Sequence, residues 1–169
     1  MQPIIFKTIM ESLNHQFLFQ KFKSSKELSE LQQTLIQRAH EAALNAYAPY
    51  SKFRVGAALL LSNGEIIAGN NQENAAYPSG LCAERVTALY AKSQYPKEKI
   101  LKMAITTASE HQKNVAPPFP CGSCRQVLIE YEFEDRQPIE LILRGENDEG
   151  CIIRSVADIL PFAFNGSYL

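Results

Sequence analysis

The chain has 169 residues, 46% of them hydrophobic and 21% charged, with 17 Lys and Arg against 18 Asp and Glu for a formal net charge of -1. That balance suits one globular domain with a sizeable core, and it excludes both an intrinsically disordered chain and a strongly basic nucleic-acid binder. No run approaches the roughly 18 apolar residues of a membrane helix. The N-terminal stretch, broken by Glu11, Asn14, His15 and Gln16, has neither the apolar core nor the cleavage site of a secretory signal. The expected location is the cytoplasm.

Residues 1–23 read as an N-terminal extension, rich in Phe and Gln and without a clean period. Phe17, Phe19 and Phe22, interleaved with Gln20 and Lys21, suggest an added edge strand or an oligomer arm; residues 24–169 form the main domain. Ser24 and Glu27 have capping-box spacing. The apolar positions Leu28, Leu31, Leu35, Ala39, Ala42 and Ala46 then predict a helix to about Tyr47, stopped by Pro49. Phe53 to Leu61 reads as a strand and Glu65 to Gly69 as its hairpin partner. Asn63-Gly64 between them points to a tight turn with positive φ at both central residues.

The polar stretch Asn70 to Gly80 reads as loop, and a second helix is expected from about Leu81 to Tyr95. Ile100 to Ala108 reads as a buried strand. A Pro-rich loop carrying Pro117, Pro118 and Pro120 leads to a third helix from Cys121 to about Phe133. Strands are expected at Pro138 to Arg144 and at Cys151 to Val156, then a short helix ending at Pro161 and a tail with Phe162 and Phe164. Helices alternating with apolar strands predict one mixed sheet covered on both faces.

Two segments carry chemistry: Cys82-Ala83-Glu84-Arg85 and Pro120-Cys121-Gly122-Ser123-Cys124-Arg125. Each places cysteine at the first turn of a helix, where unpaired N–H groups and the dipole favour thiolates. Cys121 and Cys124, three apart, can grip one ion, and Cys82 would supply a third sulfur. A zinc ion with three protein ligands keeps an open position for water, the mark of a catalytic site. Glu84 is placed to reach that water without ligating the metal. Cys-x-x-Cys taken alone is a weak signal that also fits a redox pair, half of a zinc knuckle or two core thiols.

These residues resemble the zinc deaminases, whose signature is His- or Cys-x-Glu followed by Pro-Cys-x-x-Cys. The resemblance is to the small homotetrameric cytidine deaminase family. It extends to Ala46-Tyr47-Ala48-Pro49-Tyr50-Ser51-Lys52-Phe53, to Val55-Gly56-Ala57-Ala58-Leu59-Leu60, and to Asn71-Gln72-Glu73-Asn74-Ala75. It also takes in Cys124-Arg125-Gln126-Val127 and Leu160-Pro161-Phe162-Ala163-Phe164, so that about residues 25 to 165 are covered. It implies a three-layer α/β/α fold with a mixed sheet of about five strands. It further implies one zinc ion per subunit on Cys82, Cys121 and Cys124, with Glu84 carrying protons while water attacks C4 of cytosine.

By the same resemblance, Phe53 packs on the pyrimidine, and Asn71 and Glu73 hydrogen-bond the ribose 3'-hydroxyl. Backbone at Ala83 meets the base edge, and Phe164 enters a neighbouring subunit's site. A carboxylate at Glu73 repels phosphate, which favours free cytidine and deoxycytidine, the substrates of pyrimidine salvage, over polynucleotides. Three thiolates leave a Zn2+ site at -1, and the Arg85 guanidinium is the offsetting cation. Gln72 departs from the family's frequent Ile, with its side chain expected to point away from the ligand.

Cys151 reads as a buried strand residue. As a fourth ligand it would instead make the chain a non-catalytic binding module held by a four-cysteine zinc site. His15, His40 and His111 neighbour no motif.

Overall fold

The computed structural model describes residues 12–110 and 113–169. His111 and the first eleven residues of the N-terminal extension lie outside them. The described residues form six strands, β1 (Phe19–Phe22), β2 (Phe53–Leu61), β3 (Ile66–Asn70), β4 (Ile100–Ser109), β5 (Glu140–Arg144) and β6 (Gly150–Ile153). Three α-helices accompany them, α1 (Glu30–Leu44), α2 (Ala83–Gln94) and α3 (Gly122–Asp135). The strands make one sheet in the order β1-β6-β5-β4-β2-β3. Only the β4–β5 pair is parallel, and α3 makes the crossover between those two strands. With α1 on one face and α2 and α3 on the other, the architecture is three-layer α/β/α.

The sheet has six strands, not five. The additional one is β1, which pairs antiparallel with β6 from Phe19 opposite Ile153 to Phe22 opposite Gly150. Phe22 is buried, and its ring lies where Gly150 has no side chain: a Cβ there would stand 2.3 Å from Phe22 Cζ. A four-residue strand whose partner lies some 130 positions away carries no local signal of its pairing.

The helix beginnings also differ from expectation. Ser24 and Glu27 do form a capping box, but it closes a 3-10 turn at Ser25–Glu27. Ser29 caps α1, with Gln32 completing a second box. The hairpin turn between β2 and β3 has positive φ at Gly64 (89°) and not at Asn63. Gly64 donates to Leu61 O and Leu61 to Glu65 O, so the connection is a longer loop closed by a left-handed residue. The segment after Ser155 is a 3-10 turn, Val156–Ile159.

Packing explains the small residues of β2. A Cβ on Gly56 would sit 1.9 Å from Ala39 O and 2.6 Å from Ala43 N, so α1 rests directly on the strand. Leu35, Ile36 and Ala39 of α1 pack against Ala58, Ala104 and Ile142 on that face. The opposite face buries Leu59, Met103, Ile105, Leu141 and Leu143 under Ala88 and Leu128. Alternation along each strand thus serves both layers, as the pleat requires.

Candidate active site

The two cysteine segments converge because β3 and β4, which flank β2 and both run antiparallel to it, finish at the same end of the sheet and lead there into α2 and α3. Cys82 is the N-cap of α2 and Cys121 the N-cap of α3, while Cys124 lies one turn into α3. Their sulfurs all lie within 4.8 Å of one another, Cys82 to Cys121 at 3.8 Å and Cys121 to Cys124 at 3.4 Å. Cys151 is not part of this group; it is buried among the apolar residues of β6 and its neighbours. Among the described residues the metal-ligand cluster has three sulfurs, which removes the basis of the four-cysteine alternative.

The donor set fits a divalent cation on electrostatic grounds. The Cys82 thiol is held down to about 5, chiefly by hydrogen bonding with Cys124 against an opposing desolvation, with Cys121 and Arg85 adding to the effect. Cys124 is pushed up, first by that same contact with Cys82, then by burial and by the charge of Glu84. Sulfurs this close cannot all be anionic without a cation between them, and a metal ion supplies it. The Arg85 guanidinium faces Cys82 and Cys124, and its buried Nε makes no hydrogen bond within the protein. Both helix N-termini point their positive ends the same way.

Glu84, on the first turn of α2, is 5% exposed and stands beside these sulfurs. Burial pushes its carboxyl above the ordinary range, and the neighbouring Cys82 charge pushes it further. It lines a cavity of about 770 Å3 together with Cys82, Cys121, Arg85, Phe53, Asn71 and Glu73. Ala83 is fully buried between its two functional neighbours and does not line that cavity.

The far wall is built from the segments flanking β2 and following β3. Tyr47 and Leu81 both bridge to Gln72, which pins the polar stretch read as loop. Asn71 Oδ1 accepts from Val55 N at 2.8 Å and Asn71 Nδ2 donates to Phe53 O at 2.9 Å, tying the amide to the backbone on either side of Arg54. Glu73 Oε2 accepts from Tyr50 N at 2.9 Å and from Ser51 N at 3.3 Å, while Oε1 takes the Ser51 hydroxyl. The Ser51 hydroxyl bond, followed against desolvation by the two N–H bonds, holds the Glu73 carboxyl below its ordinary range. Gln72 donates its side-chain amide to Asn70 Oδ1, and Asn70 in turn donates to Ala42 O of α1; Gln72 is nonetheless one of the residues that line the cavity.

Phe164 does not line this cavity. It is half exposed, stacks on Tyr168 with centroids 5.4 Å apart, and accepts at its carbonyl from Gln126. The cavity also contains residues that sequence reasoning passed over. Tyr50, Tyr77 and Phe119 give it an aromatic rim beside Pro118, and Arg125 braces the Cys121 loop by donating to Pro120 O and Ile159 O. The Pro117-Pro118 signal marked the loop, but nothing local says which way Phe119 faces.

A mixed sheet delivering three sulfurs and one buried carboxyl to the heads of two helices defines the zinc-dependent deaminase class. Residues 29–137 match the family model described as the cytidine and deoxycytidylate deaminase zinc-binding region. A cytidine deaminase of Halalkalibacterium halodurans is 39% identical over 132 residues, covering 78% of this chain and 92% of that one. One from Mycobacterium tuberculosis is 37% identical over 128 residues, covering 75% and 84%. The crystal structure of cytidine deaminase from Burkholderia pseudomallei superposes with a TM-score of 0.67 at 35% identity, over 81% of this chain and all of that one. The chain belongs to the cytidine deaminase family: it is an enzyme, and zinc is its cofactor.

Proposed function

We propose that this enzyme hydrolytically deaminates free cytidine and deoxycytidine to uridine and deoxyuridine, releasing ammonia. The observation that carries the reading is the Glu84 carboxyl, buried beside three convergent sulfurs and lining a cavity walled by Phe53, Asn71 and Glu73. Cys82, Cys121 and Cys124 would hold the zinc, which when bound supplies Lewis-acid activation of the attacking water. Glu84 takes a proton from that water and delivers it to ring N3. It then passes the second proton to the amino group, so that C4 gains oxygen as ammonia leaves. Arg85 offsets the surplus negative charge of the thiolates.

Phe53 packs on the pyrimidine, Asn71 and Glu73 engage the ribose 3'-hydroxyl, and the Ala83 backbone meets the base edge. Glu73 is preorganised for this by Tyr50 and Ser51, and its charge disfavours a phosphate in its place, so nucleosides are preferred. Phe164 acts outside its own cavity, in a neighbouring subunit's site within a homotetramer. The exposure of Phe162 at 93% and Tyr168 at 69% supports a covered C-terminal surface. The enzyme acts in pyrimidine salvage in the cytoplasm; no helix among the described residues is long and apolar enough to cross a membrane.

The test is loss of cytidine absorbance with purified enzyme beside a Glu84→Gln variant, with zinc measured in both. Turnover by the first and none by the second, at equal zinc, is expected. An active Glu84→Gln variant overturns the assignment of the proton carrier.

A further inference from the structure

A second cavity, of about 390 Å3, lies on the opposite side of the sheet from the sulfur cluster, under the C-terminal half of α1. Register places it there: Arg54 pairs with Ala108 and Arg144 with Thr106, on the face that Ala58, Ala104 and Ile142 present to α1. His40 of α1, Arg54 of β2, Arg144 of β5 and Lys113 from the stretch after β4 line it, with Glu110 and Glu146 as the acidic members. Three fixed cations therefore face two carboxylates, and both carboxylates are already turned onto protein donors. Glu110 is paired with Arg54, and Glu146 accepts from Thr107 Oγ1 and from Ser109 N, each at 3.0 Å.

Arg144 is the under-compensated member. Its side chain is only 18% exposed, and its nearest ion-pair partner, Asp148, stands 3.8 Å from Nη1, beyond hydrogen-bond reach. Asp148 is itself held by Ser24 Oγ at 2.8 Å and Ser25 N at 3.1 Å. Arg144 Nε makes no hydrogen bond, and neither does His40 Nδ1 on the facing helix; both atoms are buried. An enclosed guanidinium whose acidic neighbour stands beyond hydrogen-bond reach is incompletely compensated, and Leu44 and Ala108 in the same wall lower the local dielectric further. A guanidinium and a lysine on separate elements, lining one cavity, suit a tetrahedral oxyanion.

We propose that this cavity binds a phosphoryl-type oxyanion, with Arg144 and Lys113 as its principal partners and Arg54 and His40 at its edges. The shared chemistry is that of free phosphate and of a nucleotide's terminal phosphate. This proposal is independent of the deamination reading and stands or falls without it.

The test is calorimetric titration of the zinc-loaded full chain with inorganic phosphate and, separately, with adenosine monophosphate, at constant ionic strength against chloride. Saturable binding of one phosphate per chain is expected, weakened about tenfold in Lys113→Gln and lost in Arg144→Gln. The exposed Lys113 variant keeps the test decisive if Arg144→Gln fails to fold. Tighter binding of the monophosphate identifies a nucleotide as the source of the phosphoryl group, and weaker binding identifies the free ion. No saturable heat beyond chloride with either probe, or unchanged affinity in Lys113→Gln, overturns the proposal.

Discussion

The hydroxyl and backbone N–H of Ser51 both donate to the carboxylate of Glu73, 22 positions further along the chain. The same hydroxyl accepts from Phe53 N at 3.0 Å, so one small side chain couples the start of β2 to the acidic wall of the active cavity. Removing the hydroxyl frees Glu73 to swing and loosens the backbone that presents Phe53. For Ser51→Ala we predict a rise of about tenfold in KM for cytidine with kcat within about a factor of two, the pattern of lost uniform binding. Steady-state kinetics checks it. A fall in kcat at unchanged KM would place Ser51 in the chemical step instead.

The same hydrogen bonds give Glu73 a signed pH dependence. Its folded pKa lies below the unfolded one, so the stabilisation is fully present above the ordinary carboxylate range, near pH 4.3, and is lost as pH falls through the folded value. Melting temperatures of the enzyme and a Glu73→Gln variant should differ by a constant amount from pH 7 down to about pH 5 and converge below the ordinary carboxylate range. A gap that opens as pH falls contradicts this sign.

Gly56 is where α1 touches the sheet. Its missing Cβ would lie 1.9 Å from a helix carbonyl, and backbone cannot rotate aside as a side chain can. Gly56→Ala should cost about 1–3 kcal/mol, roughly 2–4 °C in melting temperature for each kcal/mol. Thermal denaturation measures it, and an unchanged midpoint would mean that α1 moves freely over β2.

Glu132 is a buried carboxylate that joins three parts of the chain. It accepts from Ile139 N and Val156 N, each at 2.9 Å, from Ala157 N at 3.2 Å, and from the Ser155 hydroxyl. Glu132→Ala strands these donors in the core and should cost about 3–5 kcal/mol. Glu132→Gln retains a carbonyl acceptor and should cost less. Chemical denaturation of the two variants gives the order, and equal losses would show that the hydrogen bonds are not the source.

What the sequence discloses is what depends on near neighbours. The apolar run Phe53 to Leu61 is a strand over the expected span, and the spacing of Cys121 and Cys124 places both sulfurs on one helical turn. Cys82 joins them only through the sheet; its place at the head of a second helix, next to Glu84, marks it as the candidate third sulfur, and the resemblance to a known family supports that choice. Long-range relationships are hidden. The interleaved Phe17, Phe19 and Phe22 suggest an edge strand where β1 lies, but nothing local names its partner, β6, far along the chain. Glu132, set in Glu130-Tyr131-Glu132, reads as an ordinary exposed helix residue until the donors of a distant turn reach it. Ser29 was overshadowed by the equally good cap at Ser24, because both boxes are real and only packing decides which begins the long helix. Phe119 and Tyr77 face the cavity through loop geometry that no periodicity encodes.

X-ray absorption at the zinc edge of the purified enzyme bears most directly on the metal centre, because it counts sulfurs without reference to activity. Three sulfurs at about 2.3 Å and one oxygen or nitrogen at about 2.0 Å are predicted, unchanged in a Cys151→Ser variant. Four sulfurs, or fewer than three, would contradict an open three-sulfur site beside Glu84.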